Sequence, residues 1–467
     1  MRIVSAPRLA FLLALTTAGA LVRAAQAKPL PRLRVSENHR FLVTEKGKPF
    51  FWLGDTAWEL LHRLNREEVI RYLDSRRKQG FTVVQTVGLA EIEGLGDPNA
   101  LGASALVDGD PSRPAVTPGS DPKDAAQYDY WDHVDYAVDQ AALRGIYIAL
   151  LPTWGRWVNG PGEVFTPENA RTYGEFLGKR YGPKNVIWVL GGDRNPDEPR
   201  VQAIWRAMAE GIQRGAGGPN AVLMTFHPTG SATSSTWFHD DPWLDLNMQQ
   251  NGHCTDTDVW NRIGRDYART PVKPVLDGEP LYEDHPICFD AKERGYSDAY
   301  EVRKFAYWDV FAGACGHTYG NHSIWQMHAP SHGGGINGPL NYWYEAIDHP
   351  GSKQMQFVRK LIESRPMLRR VPDQALLASD AGTEGEHVQA TRASDGSYAF
   401  VYLPLGRPVK VHMSRISGKE ASASWYDPRT GVTKRIGSYQ ATGEREFTPP
   451  SMGRGHDWVL VLDAVGR

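Results

Sequence analysis

The polar and apolar positions of this chain change period along its length. From about residue 50 to residue 365, short unbroken apolar runs alternate with longer stretches whose apolar residues recur every three or four positions. The first pattern is that of a strand buried on both faces. The second is that of an amphipathic helix laid over it. Strands are predicted over residues 50–55, 82–87, 147–152, 185–190, 222–226, 244–248, 272–276 and 316–320. Between them the spacing predicts helices over 66–79, 131–143, 167–181, 200–214, 256–268 and 297–312, with a closing helix over 352–364. Gly80 and Gly145 supply stops, and Thr166 stands as N-cap before Pro167 at a first helical position. A hairpin over 33–50, turning at Glu45-Lys46-Gly47-Lys48, precedes the first strand. Such alternation argues for an α/β (β/α)8 TIM barrel over residues 28–365 rather than an open doubly wound sheet. No G-x-G-x-x-G follows any strand, which removes the usual dinucleotide reading. A Gly/Pro-rich insertion over 93–121 is longer than ordinary loops, and such loops are functional or mobile.

Residues 366–372 read as a linker. Beyond them the helical period is lost, and short strands (396–402 and 458–462) flank a turn at Asp427-Pro428-Arg429-Thr430-Gly431. A small antiparallel β-sandwich over 372–467 is expected, an accessory domain without a catalytic group. At the other end, Arg2 and Arg8 precede an apolar run over 9–22 and then Ala25-Gln26-Ala27. This is the form of a signal peptide over residues 1–27, cleaved before Lys28, and it implies a secreted or periplasmic protein. A membrane anchor is the competing reading, but the run is short and ends at Arg23.

Composition changes this picture little. A formal net charge of −2 gives no footprint for nucleic acid, and no membrane partner is expected once the signal is removed. The 15 Trp and 19 Tyr supply flat amphipathic rings, used most often in cores and also in sugar sites. Of Cys254, Cys288 and Cys315, one pair could bridge in an oxidising compartment. Cys254 and Cys288, both just beyond predicted strand ends, are the preferred pair, and no spacing resembles a structural zinc site.

The candidate chemistry lies at strand ends. The run Val186-Ile187-Trp188-Val189-Leu190 passes into Gly191-Gly192-Asp193-Arg194-Asn195, and Val275-Leu276-Asp277 into Gly278-Glu279-Pro280. A Gly-Gly pair there marks close backbone approach or unusual φ/ψ, although a simple turn aspartate gives the same letters. Two acids on strand ends of one barrel suit glycoside hydrolysis, which needs one carboxylic acid and one carboxylate across the scissile bond. Asp193 and Glu279 are the candidate pair. Arg194 and Asn195 are candidates for orienting Asp193 or a sugar hydroxyl, an exposed ion pair being the plainer role for the arginine. Other strand-end residues are candidate substrate contacts: Asp55 and Trp58, Trp154 and Arg156, His227, Gln250 and His253, then His317, Asn321 and Trp325. Asp55 could equally be a cap or turn residue, and the tryptophans could be core. His317, His322, His328 and His332 cluster in sequence, which raises a metal-dependent hydrolase as an alternative. The first strand, however, ends in Gly54-Asp55-Thr56 rather than the H-x-H of metal-dependent barrels. No cofactor is expected, and no G-x-S-x-G elbow is present. A catalytically silent sugar-binding barrel is the remaining alternative; it would lack one acid, and both are here.

Four motifs together resemble glycoside hydrolase family 140, the apiosidase-like proteins: Phe51-Trp52-Leu53-Gly54-Asp55-Thr56-Ala57-Trp58, Val189-Leu190-Gly191-Gly192-Asp193, Asp277-Gly278-Glu279-Pro280 and Gly316-His317-Thr318-Tyr319-Gly320-Asn321. The resemblance extends over roughly residues 33–462. It implies a barrel followed by a small β domain labelled collagen-binding, an acid/base at Asp193 and a nucleophile at Glu279. It also implies an oligosaccharide or polysaccharide substrate, with β-linked apiose of pectic rhamnogalacturonan II as one. Retaining barrels of the wider clan usually end their fourth strand in Asn-Glu; here it is Gly192-Asp193, one methylene shorter.

Overall fold

Strands that alternate with crossover helices are covered on both faces, and the inner strands of this chain are buried at every position. The computed structural model describes residues 29–466, so the predicted signal segment 1–27 lies outside the described residues. The inner strands are β1 (Trp52–Thr56), β2 (Val83–Val87), β3 (Tyr147–Leu151), β4 (Ile187–Gly191), β5 (Met224–His227), β6 (Asn247–Gln250), β7 (Val275–Asp277) and β8 (Gly316–Tyr319). One six-stranded sheet runs β8-β1-β2-β3-β4-β5, parallel throughout. A second piece pairs β6 with β7 in parallel, and a two-residue strand, Ala232–Thr233, lies antiparallel to β6.

Two seams join the pieces into a curled parallel sheet. Between β5 and β6, Asp245 N donates to Met224 O at 2.9 Å, and Met224 N donates to Asp245 Oδ2 at 2.8 Å. A side-chain carboxylate thus replaces a main-chain rung, so β6 starts at Asn247 and not at the predicted residue 244. Between β7 and β8, Cys315 N donates to Val275 O at 2.8 Å. Pro274 lacks an N–H and offers only its carbonyl, to Asn247 N at 2.9 Å, which delays β7 from the predicted residue 272. Neither seam carries a continuous ladder.

The covering helices are α1 (Arg66–Lys78), α2 (Tyr130–Leu143), α3 (Pro167–Tyr181), α4 (Pro199–Ala216), α5 (Val259–Tyr267), α6 (Ala299–Ala312) and α7 (Pro350–Glu363). Their starts follow the capping chemistry. Asn65 with Glu68, Asp129 with Asp132, and Thr166 with Asn169 form reciprocal boxes. Helix α6 starts at Ala299 rather than at the predicted residue 297, with Asp298 as its cap, while the Ser297 hydroxyl accepts from His285 N at 3.1 Å. The insertion is packed: Ala105 and Leu106 join the core, and Trp131 Nε1 donates to Ala105 O at 2.9 Å. Among the described residues no helix is long and apolar enough to cross a membrane.

The predicted linker is structured. Arg370–Pro372 forms β9, the first strand of the C-terminal sheets, and the buried Arg370 guanidinium donates to Val310 O and Ala314 O at the end of α6. Then follow β10 (Gln389–Ala393), β11 (Tyr398–Leu403), β12 (Val409–His412), β13 (Glu420–Tyr426), β14 (Thr433–Gln440), β15 (Glu444–Phe447) and β16 (Trp458–Val465). A six-stranded antiparallel sheet, β9-β10-β11-β16-β13-β14, accompanies the pair β12-β15. Strand β11 shows why every residue of Tyr-Ala-Phe-Val-Tyr-Leu is buried. Val401 and Leu403 face the local core with Val411, Phe447, Leu460 and Leu462. Phe400 and Tyr402 point the other way and stack on Phe311 (5.8 Å) and Tyr307 (4.9 Å) of α6. The larger core therefore runs without a break into the C-terminal sheet.

A buried ion pair crosses the same interface, with Arg303 Nε and Nη2 donating to Asp457 Oδ2 and Oδ1 at 2.8 and 2.6 Å. Asp457→Ala would leave the guanidinium buried and unpaired, at a cost of about 3–5 kcal/mol. Differential scanning calorimetry should show one transition for both domains, displaced downward by several degrees; a wild-type melting temperature would refute the coupling.

Candidate active site

The end of β4 is shaped by backbone geometry before any side chain acts. Gly191 (φ 89°), Gly192 (φ 129°) and Asp193 (φ 52°) are successively left-handed. A Cβ at Gly191 would stand 2.2 Å from His227 O, and one at Gly192 would meet the Trp154 ring at 2.7 Å. Only glycine fits either position, and the turn this permits delivers Asp193 to a cleft at the C-terminal ends of the strands. Its Oδ1 accepts from Thr229 Oγ1 at 3.3 Å, and Asn195 Oδ1 holds Thr229 N at 3.2 Å. Burial, then the nearby Glu279 charge, raises the Asp193 carboxyl above the usual carboxylate range.

Glu279 follows β7 and is 6% exposed. His227 Nε2 lies 3.0 Å from its Oε2, and His253 Nε2 lies 3.3 Å from its Oε1. His227 Nδ1 accepts the Asp193 N–H at 3.4 Å, so the ring carries its proton on Nε2, facing Glu279. Asp277 Oδ1 accepts Glu279 N at 3.2 Å, and Asn251 Nδ2 holds the other Asp277 oxygen at 2.7 Å. Burial alone would raise the Glu279 pKa; hydrogen bonding and charge from His227 and His253 outweigh it and hold the group well below the usual range. The two acids are thus treated oppositely, one pushed toward its protonated form and one held as an anion.

The cleft is about 330 Å³ in volume. Trp58, Trp154 and Trp325 supply aromatic walls, and Gln250, His253 and Tyr282 supply polar ones. Trp58 meets His227 edge-on at 5.3 Å. At the mouth Phe289 is 63% exposed, on a loop bonded through Cys288 to Cys254. His253 stacks on His285 with 3.9 Å between rings, and His285 meets His322 at 4.5 Å. A third carboxyl, Glu91, lines the same cleft.

Comparison with known proteins gives the family and the fold. Residues 36–369 match the family model "Apiosidase-like, catalytic domain", and residues 371–463 match a collagen-binding-like domain. The chain belongs to the apiosidase-like family, and it is a glycoside hydrolase. A solved structure described as a glycoside hydrolase is 36% identical with a TM-score of 0.84, over 94% of this chain and 98% of that one. Another, described as a glycoside hydrolase family 5 protein from Bacteroides vulgatus, is 35% identical with a TM-score of 0.84, over 93% and 94%. No curated protein matches the chain.

In this apiosidase-like domain the candidate residues divide. Asp193, Glu279, Trp58, Trp154, Gln250, His253 and Trp325 line the cleft, and His227 supports it from behind. Five others are corrected. Asp55 is fully buried under the sheet, ion-paired with Arg76 and bonded to the Tyr72 hydroxyl, because it sits inside β1 rather than past its end. His317, second in β8, pairs with Asp309 at 2.8 Å in the interior, where burial lowers its pKa to about 4. Asn321 caps the short helix His322–Trp325 through Ser323 N at 2.9 Å. Arg194 is exposed, and Arg156 donates to Pro161 O and Glu91 O outside the cleft. Asn195 acts through Thr229, as described. Nor do the four clustered histidines converge: His322 meets Trp325 and Asn337 O, His328 meets the Tyr342 ring, and His332 meets Met327 O. Among the described residues the one group with metal-ligand spacing is Cys254, Asp256 and Cys288, whose cysteines are bonded to each other. Sequence reasoning missed Glu91, Thr229, Tyr282, His285 and Phe289. Glu91 carried a usable signal in Gly88-Leu89-Ala90-Glu91, just past β2.

Because His253 is one of two groups lowering the Glu279 pKa, its removal should raise it. In His253→Ala, the Glu279 carboxyl followed by 13C NMR should titrate at a higher pH than in the wild type. An unmoved midpoint would show that His253 plays no part in holding the anion.

Proposed function

We propose that this glycoside hydrolase is an exported retaining enzyme of the family 140 type, with Glu279 as nucleophile and Asp193 as acid/base. The carrying observation is the opposite electrostatic treatment of the two carboxyls on neighbouring faces of one cleft. In the first step a Glu279 oxygen bonds to the anomeric carbon while the bond to the leaving oxygen breaks. The proton of Asp193 passes to that oxygen. In the second step Asp193, now a carboxylate, takes a proton from water; the water oxygen bonds to the anomeric carbon and Glu279 leaves. In this reading the eight strands close as a (β/α)8 barrel, with both acids at the strand C-terminal ends.

A cleft of this size is at the small end of ligand pockets, about 300–1,000 Å³, and fits a terminal sugar better than the side of a long polymer. This favours action on branched pectic glycans, β-linked apiose of rhamnogalacturonan II being the first candidate. The Arg2-to-Ala27 segment and the Cys254–Cys288 bond both support an oxidising compartment outside the cytoplasm. The C-terminal domain supports the barrel and supplies no catalytic group.

A screen of the purified chain against pectic and hemicellulosic oligosaccharides, with products identified by mass, tests the substrate. The roles are tested by substitution. Asp193→Ala should lose about 10²–10⁴-fold on poor leaving groups yet retain most of its glycosylation rate on an activated aryl glycoside, with azide accelerating turnover. Glu279→Ala should lose both substrates alike. Azide rescue of Asp193→Ala with an inverted glycosyl azide, and of Glu279→Ala with a retained one, would reverse the assignment. Near wild-type activity in both variants would remove the pair.

A further inference from the structure

The mechanism uses two carboxyls, and the cleft contains three. Glu91, on the segment after β2, lines it beside Asp193 and Glu279. We propose that Glu91 is a substrate-binding residue, donating a hydrogen bond from its carboxyl group to a hydroxyl of the sugar flanked by Asp193 and Glu279. This rests on the glycosidase reading above and adds a contact that the hydrolytic steps do not require.

The first argument is the company Glu91 keeps. The charged groups facing it are Asp193 after β4, Glu279 after β7 and Glu59 after β1, all carboxyls. Nearby cations are committed elsewhere. Arg156 reaches the main-chain oxygen of Glu91 at 3.5 Å, while His62 and Arg63 face Glu59 at 3.3 and 4.0 Å. The Trp154 side chain is its hydrogen-bonding neighbour. Burial first, and then the three carboxyls, push Glu91 up to about 8. Near neutral pH it is a carboxylic acid, able to donate where a carboxylate only accepts.

The second argument is that the cleft is built with polar atoms left open. Gln250 Oε1 and His253 Nδ1 have no hydrogen-bond partner, although each residue is more than nine-tenths buried and lines the cleft. Buried polar groups are normally paired, so these await a ligand rich in groups that both donate and accept. A sugar ring is such a ligand. Gln250 Oε1 can only accept, and Glu91, once protonated, adds a donor to the same wall.

The test compares Glu91→Gln, which keeps a donor at every pH, with Glu91→Ala, which has none, on 4-nitrophenyl β-apioside. Glu91→Ala should raise KM about tenfold, more than it lowers kcat. Glu91→Gln should raise KM by less than about threefold. Above pH 8 the wild-type KM should climb as Glu91 loses its proton, and the Glu91→Gln value should stay flat. A kcat loss in Glu91→Gln as deep as in Glu91→Ala, at unchanged KM, would make Glu91 a proton donor and overturn the proposal. Wild-type KM in both variants would also overturn it. Two further readouts do not depend on the apioside. A wild-type minus Glu91→Gln infrared difference spectrum at pH 7 should show a protonated carboxyl band, and its absence refutes the donor. Quenching of the cleft tryptophans by a pectic oligosaccharide mixture, in the Glu279→Ala background, should weaken when Glu91→Ala is added; equal quenching refutes the contact. A wild-type chain that leaves the apioside uncut while showing the band and the weakened quenching refutes the substrate and keeps the contact.

Discussion

An anion taken out of water must be compensated where it sits, and at Glu279 the compensation comes from two imidazoles. His227 arrives from β5 and His253 from the segment after β6, so two neighbouring strand ends serve a residue on a third. His227 also accepts the Asp193 N–H, so a single ring orients both acids. The glycines at 191 and 192 belong to the same requirement, because only a chain without Cβ atoms passes so close to His227 and Trp154. Charge compensation, ring tautomer and backbone conformation thus form one constraint with three parts.

Within a largely apolar core, several buried carboxyls next to the strands are paired. Asp55 is held by Arg76 and Tyr72, Asp309 by His317, and Asp277 by Asn251. Asp277 braces the strand that leads to Glu279, while the other two pairs tie β1 to α1 and β8 to α6. Outside, the helices are clamped by the C-terminal sheet, whose strand β11 gives alternate residues to two cores. Rigidity at the strand ends therefore draws on contacts made on the far side of α6.

Much of this was legible in the chain. Runs such as Val-Leu-Gly-Gly-Asp state a buried strand, a forced turn and an acid in five letters. Gly54-Asp55 looks the same, and it misled because the difference lies elsewhere: Asp55 is still inside its strand, and its partner Arg76 is one helix away. His317 failed for the same reason, since strand period alone does not say which buried polar residues are matched within the interior. Helix limits followed capping side chains closely. Strand limits at β6 and β7 did not, because a carboxylate had taken a main-chain rung and a proline had removed one. Phe289 was missed because it stands on a loop whose path depends on tertiary contacts, including the Cys254–Cys288 bond, whereas Glu91 followed a strand end like the acids that were found.

The seams in the sheet have a mechanical meaning. Asp193 stands on the six-stranded piece and Glu279 on the smaller one, joined on one side through Asp245 and on the other through Cys315. Sliding one piece against the other changes the gap between the acids without altering the ladder that carries either. His227 spans that gap from one piece to an acid on the other. The spacing between the two acids is therefore tied to seam contacts beneath the floor, at positions such as 245 and 274, that lie outside the lining of the cleft.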